Sequence, residues 1–307
     1  MFFIQSDAMS GLGQTCVSTF LDTFADRGLK EDNFGMVIVR QPAKGAEPEG
    51  FSWRGDWVCY PCSVVKSFHL VHALHALDAG LLTPHDDLDR AMRDMILWSS
   101  NTATNYVIDL LTKTTGDTLL EGDELEAWID RREGLNRFFH DLKWPEYAGC
   151  NISQKLMGDI RYGREATYAS RDGGYLNALT PLVAARLVHE LFDGNLPLSE
   201  AGRERAQRIM FRDRNSPEAK MPKFQVDNYL GGGAPADWLL WSKCGWNPWS
   251  GDERTSYFKH DLARIQKPGE PALTISLMTK GKVLCEDHPE MFPQMSRIVL
   301  SSFGSVA

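Results

Sequence analysis

Tyr60-Pro61-Cys62-Ser63-Val64-Val65-Lys66-Ser67-Phe68 is the stretch on which the fold turns. From Ser67 to Leu82 apolar residues recur at helical spacing. This predicts a helix from Ser63 to about Asp78, with Ala79-Gly80 as its C-cap. Ser63 then lies in the first turn and Lys66 one turn on, on the same face. An amine beside a hydroxyl can take its proton, and a helix N-terminus favours the negative charge that forms. The pair is a candidate nucleophile and base.

Working outward, Leu12 to Arg27 reads as an amphipathic helix, Phe34 to Arg40 as a strand and Gly50 to Asp56 as a second strand. Helices are expected over Leu88–Leu97 and Thr102–Leu111, and one or two more over Leu125–Leu142. Another is expected over Pro181–Phe192, with Thr180 as its N-cap. Tyr162 to Asn177 is polar, glycine-bearing and weakly periodic, and reads as a long loop. A helix near Ser199–Phe211 precedes strands at Trp238–Lys243, Thr255–Ala263 and Ala272–Met278, and Met291–Phe303 closes the chain as a helix. Strands at both ends and helices between them predict an α/β (α+β) fold. One antiparallel sheet is assembled from both chain ends and flanked by helices, with an all-helical lobe inserted. The expected lobes are residues 1–66 with 195–307, and residues 67–194. They form one structural unit with the active site between them.

Composition is that of an ordinary soluble globular chain, 43% hydrophobic and 24% charged. The net charge of -8, without a basic run, argues against nucleic acid and anionic membrane as partners. No apolar run spans a bilayer. Met1-Phe2-Phe3-Ile4-Gln5-Ser6-Asp7 lacks the features of a secretory leader, so the expected location is the cytoplasm, a trimmed mature secreted form being the alternative. Six dispersed cysteines read as free thiols of a reducing compartment, since Cys59-x-x-Cys62 has no second such pair. His69, His72 and His75 stand three apart, whereas helical metal pairs prefer four, so they read as core or surface residues. Neither metal nor cofactor is expected.

A serine and a lysine three apart prove little alone. Ser256-Tyr257-Phe258-Lys259 repeats the spacing inside an apparent strand, where the two side chains point to opposite faces. Two further elements give Ser63 its context. Ser99-Ser100-Asn101 falls at a helix junction, where a hydroxyl relays a proton and an amide holds a substrate group. Lys243-Cys244-Gly245 falls at the end of a strand, where a lysine adds positive charge and a glycine lets substrate lie along the edge. In this order the three resemble the SxxK, SDN and KTG motifs of the serine β-lactamase and penicillin-binding-protein superfamily, closest to class A β-lactamases. The resemblance covers about residues 30–115 and 175–300.

That resemblance implies Ser63 as acylated nucleophile, Lys66 as base or relay and Ser99 as proton shuttle to the leaving nitrogen. Asn101 would contact a substrate amide. Lys243, Cys244, Gly245, Trp246 and Asn247 would line the substrate, with the amides of Ser63 and Asn247 as oxyanion hole. Glu165 stands near the place of the family's deacylating glutamate, although the ExxLN pattern is absent; Asp172 and Lys66 are the alternatives. Ser100 replaces the family's aspartate, and Cys244 replaces a hydroxyl that binds a carboxylate, a thiol being a poor donor. Trp246 and Trp249 follow the strand directly, and an aromatic wall suits a ring-bearing or apolar acyl group. The expected activity is cleavage of an amide, ester or lactam bond of a small molecule through acyl-Ser63, in a monomer or homodimer. A class A β-lactamase proper, an acyltransferase and a noncatalytic binding relative are the alternatives.

Overall fold

The computed structural model of the protein describes residues 1–43, 45–156 and 161–303. The chain opens with α1 (Asp7–Phe24), which begins before Leu12 because the Ser6 hydroxyl caps it, accepting from the Met9 amide at 3.3 Å. β1 (Phe34–Arg40) and β2 (Glu49–Trp53) follow. A 3-10 turn (Cys62–Val64) runs straight into α2 (Val65–Asp78). Next come α3 (Asp86–Leu97), α4 (Asn101–Thr112), α5 (Gly122–Asp141), α6 (Gly163–Ser170), α7 (Pro181–Phe192) and α8 (Glu200–Met210). β3 (Leu239–Asn247), β4 (Phe258–Gln266), β5 (Leu273–Lys280) and α9 (Met291–Phe303) complete the described chain. No helix among the described residues is long and apolar enough to cross a membrane.

The chain divides into two units. The first comprises Met1–Val64, Thr180–Leu196 and the residues from Met210 onward. It holds an antiparallel sheet in the order β2-β1-β5-β4-β3, so strands from both chain ends meet where β1 pairs with β5. β1 is covered on both faces, which is why Phe-Gly-Met-Val-Ile-Val reads as a nearly unbroken apolar run. On one face Val37 and Val39 pack with Phe3 and Ala185 of α7. On the other Phe34 lies 6.3 Å from the Phe20 ring of α1. Gly13 lets α1 settle there, since a Cβ at that position would fall inside the Phe51 ring.

The second unit comprises Val65–Leu179 and Pro197–Ile209. Two segments therefore group differently from the expected lobes. α7 belongs with the sheet, where the Leu182 amide donates to Gly55 O at 2.9 Å. The α8 segment belongs with the helices, where Asp78 accepts from the Ser199 amide at 2.7 Å and its hydroxyl at 2.8 Å. α2 is the central helix here. Ten of its 14 residues are buried, so it is covered all round rather than along one stripe.

That burial decides what two of the three helical histidines, His69 and His72, are. His72 stacks on Phe138 with ring centroids 4.3 Å apart, and His69 has no exposed surface. Burial, reinforced by His72, Lys66 and Arg132, drives His69 down to about 3, and burial drives His72 to about 4. Both are neutral in the folded chain at pH 6, while in the unfolded chain they protonate near the ordinary 6.5. Below about pH 6.5 the unfolded chain thus binds more protons, and stability falls with pH until the folded histidines titrate at 3 to 4. His69 alone removes about 2 kcal/mol between pH 6.5 and 5. Urea midpoints measured across that range should drop steeply in the wild type and less in His69→Leu; equal slopes would contradict this.

Candidate active site

In the sheet-bearing unit, Ser63 sits in the 3-10 turn Cys62–Val64. The turn packs on the end of β3 at Gly245. A Cβ there would stand 2.8 Å from Pro61 O, 2.9 Å from Cys62 Cβ and 3.0 Å from the Ser63 amide nitrogen. The glycine of Lys243-Cys244-Gly245 is thus required by the close approach of the nucleophile's own backbone. Cys62 adopts a left-handed φ of 49°, a strained conformation for a residue with a Cβ, held by its surroundings. Its thiol points inward, 4.0 Å from Phe258 O.

His260, opposite Gly245 on β4, steadies the same segment. Its Nδ1 accepts from the Thr279 amide at 3.1 Å, so the proton is on Nε2, which donates to Tyr60 O at 2.9 Å. Burial keeps it neutral, at about 4. A single histidine in a strand carries no sequence signal for this role.

In the helical unit, Lys66 of α2 has no exposed surface. Its Nζ donates to Ser99 O at 2.6 Å and Asn101 Oδ1 at 2.8 Å, and lies 3.2 Å from Ser99 Oγ. Two contacts go to carbonyl oxygens, which only accept. The third joins two groups that each give or take a proton. Ser99 reaches it because the α3–α4 junction turns sharply, with Ser99 at φ 55° and Ser100 capping α4 through the Ala103 amide at 3.1 Å.

Lys243, Gly245 and Asn247 share one face of β3, and Cys244 and Trp246 the other. Lys243 is fully buried with Nζ on Cys244 O at 2.8 Å, and burial, with Arg212 adding repulsion, pulls it down to about 8. Cys244 departs from its expected place against substrate: it has no exposed surface, is paired across the sheet with Asp261 and is hydrogen-bonded with Tyr229. Burial raises that thiol above its ordinary value. The Asn247 side chain donates to Thr255 O at 2.5 Å, closing the turn that follows β3. Trp246 is exposed, its indole N–H donating to Cys285 O at 3.0 Å.

Glu165 is held in a charged cluster with Arg132, Lys155 and Asp109. The expected loop at Tyr162–Asn177 contains α6, which carries Glu165 into the interior. Both carboxylate oxygens are taken by the Arg132 guanidinium, at 2.9 and 2.5 Å, and Lys155 lies 3.5 Å away while bonding Asp109 at 2.7 Å. Arg132 also bonds Thr114 Oγ1 at 3.1 Å and lies 4.5 Å over the Trp128 ring. Its helix reads as solvent-facing in Asp130-Arg131-Arg132-Glu133, which hides the role of Arg132. Asp172, the rival, is exposed at a left-handed position. Asn151 pairs with Ala178, and Gln154 and Asn177 exchange backbone and amide bonds at 2.8 to 2.9 Å, closing the base of the segment that carries α6. No group of histidine, cysteine and acidic side chains suited to a metal occurs among the described residues.

A family model described as the beta-lactamase enzyme family matches residues 87–303, well over half the chain. The chain belongs to the β-lactamase enzyme family. The match takes in Ser99, Asn101, Glu165 and Lys243 and begins after Ser63 and Lys66. Solved β-lactamase structures share the fold. A β-lactamase from Xanthomonas campestris pv. campestris is 17% identical, with 96% of this chain and 100% of that one covered and a TM-score of 0.65. The class A β-lactamase of the last common ancestor of Gram-negative bacteria is 19% identical, covering 94% and 99%, with a TM-score of 0.62. A class A β-lactamase from Mycobacterium abscessus is 17% identical, covering 94% and 100%, also at 0.62. Curated protein sequences give no match. As a member of the β-lactamase family, the protein is an enzyme of the serine hydrolase type.

Proposed function

We propose that this β-lactamase-family hydrolase cleaves an amide or ester bond of a small molecule, lactams included, through an acyl-Ser63 intermediate. The observation that carries this is the Lys66 amine, 3.2 Å from Ser99 Oγ and 2.8 Å from Asn101 Oδ1, in the helix that continues directly from the Ser63 turn. Ser63 Oγ attacks the carbonyl and its proton passes to Lys66. Lys66 hands a proton to Ser99, which protonates the leaving nitrogen or oxygen. Asn101 keeps its Nδ2 donor for a substrate carbonyl, since its Oδ1 is occupied by Lys66. The amides of Ser63 and Asn247 receive the developing oxyanion. Lys243 adds positive charge, present below about pH 8.

Water then attacks the acyl group. We read Lys66 as the group that activates that water; Glu165, with both oxygens bound to Arg132, is the alternative. The test is stopped-flow turnover of a panel of chromogenic amides, esters and a cephalosporin. At least one should give a burst of first product close to one per enzyme, followed by slower steady release. Turnover of the cephalosporin alone would narrow the protein to a β-lactamase proper. Turnover without a burst, with substrate in excess over enzyme, would count against an accumulating acyl-enzyme.

A further inference from the structure

Tyr60 O stands three residues ahead of Ser63, and the sheet supplies a donor for it, the Nε2–H of His260 at 2.9 Å. The ring is fixed on its other side, where Nδ1 accepts from the Thr279 amide at 3.1 Å. His260 has no exposed surface, and both nitrogens are spent on main-chain groups, one on β5 and one in the segment before Ser63. A neutral imidazole so placed has one tautomer and one orientation, and no nitrogen left for a substrate.

Between Tyr60 and Ser63 the chain has little freedom. Pro61 fixes its own φ, and its carbonyl accepts from the Val64 amide at 3.1 Å. Cys62, at φ 49°, is in a conformation that a residue with a Cβ leaves unless its flanks prevent it. On the Ser63 side the flank is β3, because a Cβ at Gly245 would already meet Pro61 O at 2.8 Å and the Ser63 amide nitrogen at 3.0 Å. On the Tyr60 side the flank includes the His260 bond. His260 and Gly245 are direct partners in the sheet, so one register places both.

We propose that His260 is a positioning residue for acyl transfer, whose bond to Tyr60 O keeps Cys62 in its left-handed conformation and so aims the Ser63 amide at the oxyanion. This rests on Ser63 being the acylated residue. Two substitutions separate the two bonds of the ring. The Nε2 of a glutamine reaches the place of the imidazole Nε2 and still donates to Tyr60 O. The Oδ1 of an asparagine falls at the place of Nδ1, so it still accepts from Thr279 but stops short of Tyr60.

The probe is an ethyl fluorophosphonate, its labelling followed by intact mass over a range of concentrations. Ser63 Oγ bonds to phosphorus, fluoride leaves, the serine proton passes to Lys66 and the phosphoryl oxygen takes the oxyanion position. In His260→Asn the maximal labelling rate should fall about tenfold, less than the loss on deleting an oxyanion donor outright. The half-saturating concentration should change little, as for an interaction made only in the transition state. His260→Gln should recover most of the rate. Equal rates in the two variants, or a loss carried by the half-saturating concentration, would overturn the proposal. The wild type alone gives an independent reading. With nitrogen-15 histidine, His260 should appear as the single Nε2–H tautomer at neutral pH, and an Nδ1–H ring would overturn the proposal whether or not the variants fold. Absence of Ser63 labelling in the wild type would instead overturn the acyl-Ser63 function, and this proposal with it.

Discussion

Ser63→Ala is expected to lower kcat/KM for any substrate of the enzyme by a factor on the order of 10⁴ or more, as removal of the nucleophile does in other serine hydrolases. The cause is specific. Without Oγ, neither Lys66 nor Ser99 has a bond-forming partner to serve, and positioning with the oxyanion donors is all that remains. Lys66→Met should come within about tenfold of the same loss, because the two act as one unit and their losses do not add. The double variant Ser63→Ala/Lys66→Met should therefore be little worse than Ser63→Ala. Folding must be intact for the comparison. Ser63→Ala removes one hydroxyl from a partly exposed turn and should leave the urea midpoint unchanged, while Lys66→Met strips a buried amine from the acceptors Ser99 O and Asn101 Oδ1. Steady-state rates that fall by less than tenfold in Ser63→Ala would point to another nucleophile.

Arg132→Met carries the largest expected effect on stability. The guanidinium is fully buried and grips both oxygens of Glu165, whose carboxylate is itself almost wholly buried. Removing Arg132 leaves the buried carboxylate only Lys155, 3.5 Å away, as an oppositely charged neighbour among the described residues, a loss on the scale of about 3 kcal/mol. Replacing both, in Arg132→Met/Glu165→Leu, should recover most of that loss, since a well-packed apolar pair of similar volume rivals a buried ion pair. Denaturant unfolding of the two single variants and the double variant gives the coupling directly. Glu165→Gln separates structure from chemistry. As an anchor of α6 it should lower stability without trapping an acyl adduct. A stable protein with a persistent adduct would restore Glu165 as the deacylating base.

Much of this was legible in the residues, and the reason differs by element. β1, α7 and α9 kept their expected bounds because each carries a complete local signal: an apolar run between turns, or Thr180 and Pro181 ahead of a periodic stretch. The meeting of Lys66, Ser99 and Asn101 was legible as order and spacing, because each lies at an element end or within a turn of one. What was hidden depends on partners far along the chain. α6 was missed because the Arg132 that draws Glu165 inward is 33 positions away and looks like one of a solvent-facing charged run. Ser256 of the second serine–lysine pair lies in the turn before β4, bonding Asp252 O at 2.7 Å, rather than within the strand. The burial of Cys244 followed from strand register against Asp261, and register is set by the assembled sheet.

The most direct test of acyl transfer through Ser63 is time-resolved intact-mass measurement of the wild type after mixing with a substrate that shows a burst, with peptide mapping of the adduct. The expected result is a mass increase equal to the acyl portion, located on the peptide containing Ser63. It should rise within the burst and decay as product is released, and be absent in Ser63→Ala. Turnover with no adduct at any time, or an adduct mapped to a residue other than Ser63, would contradict it.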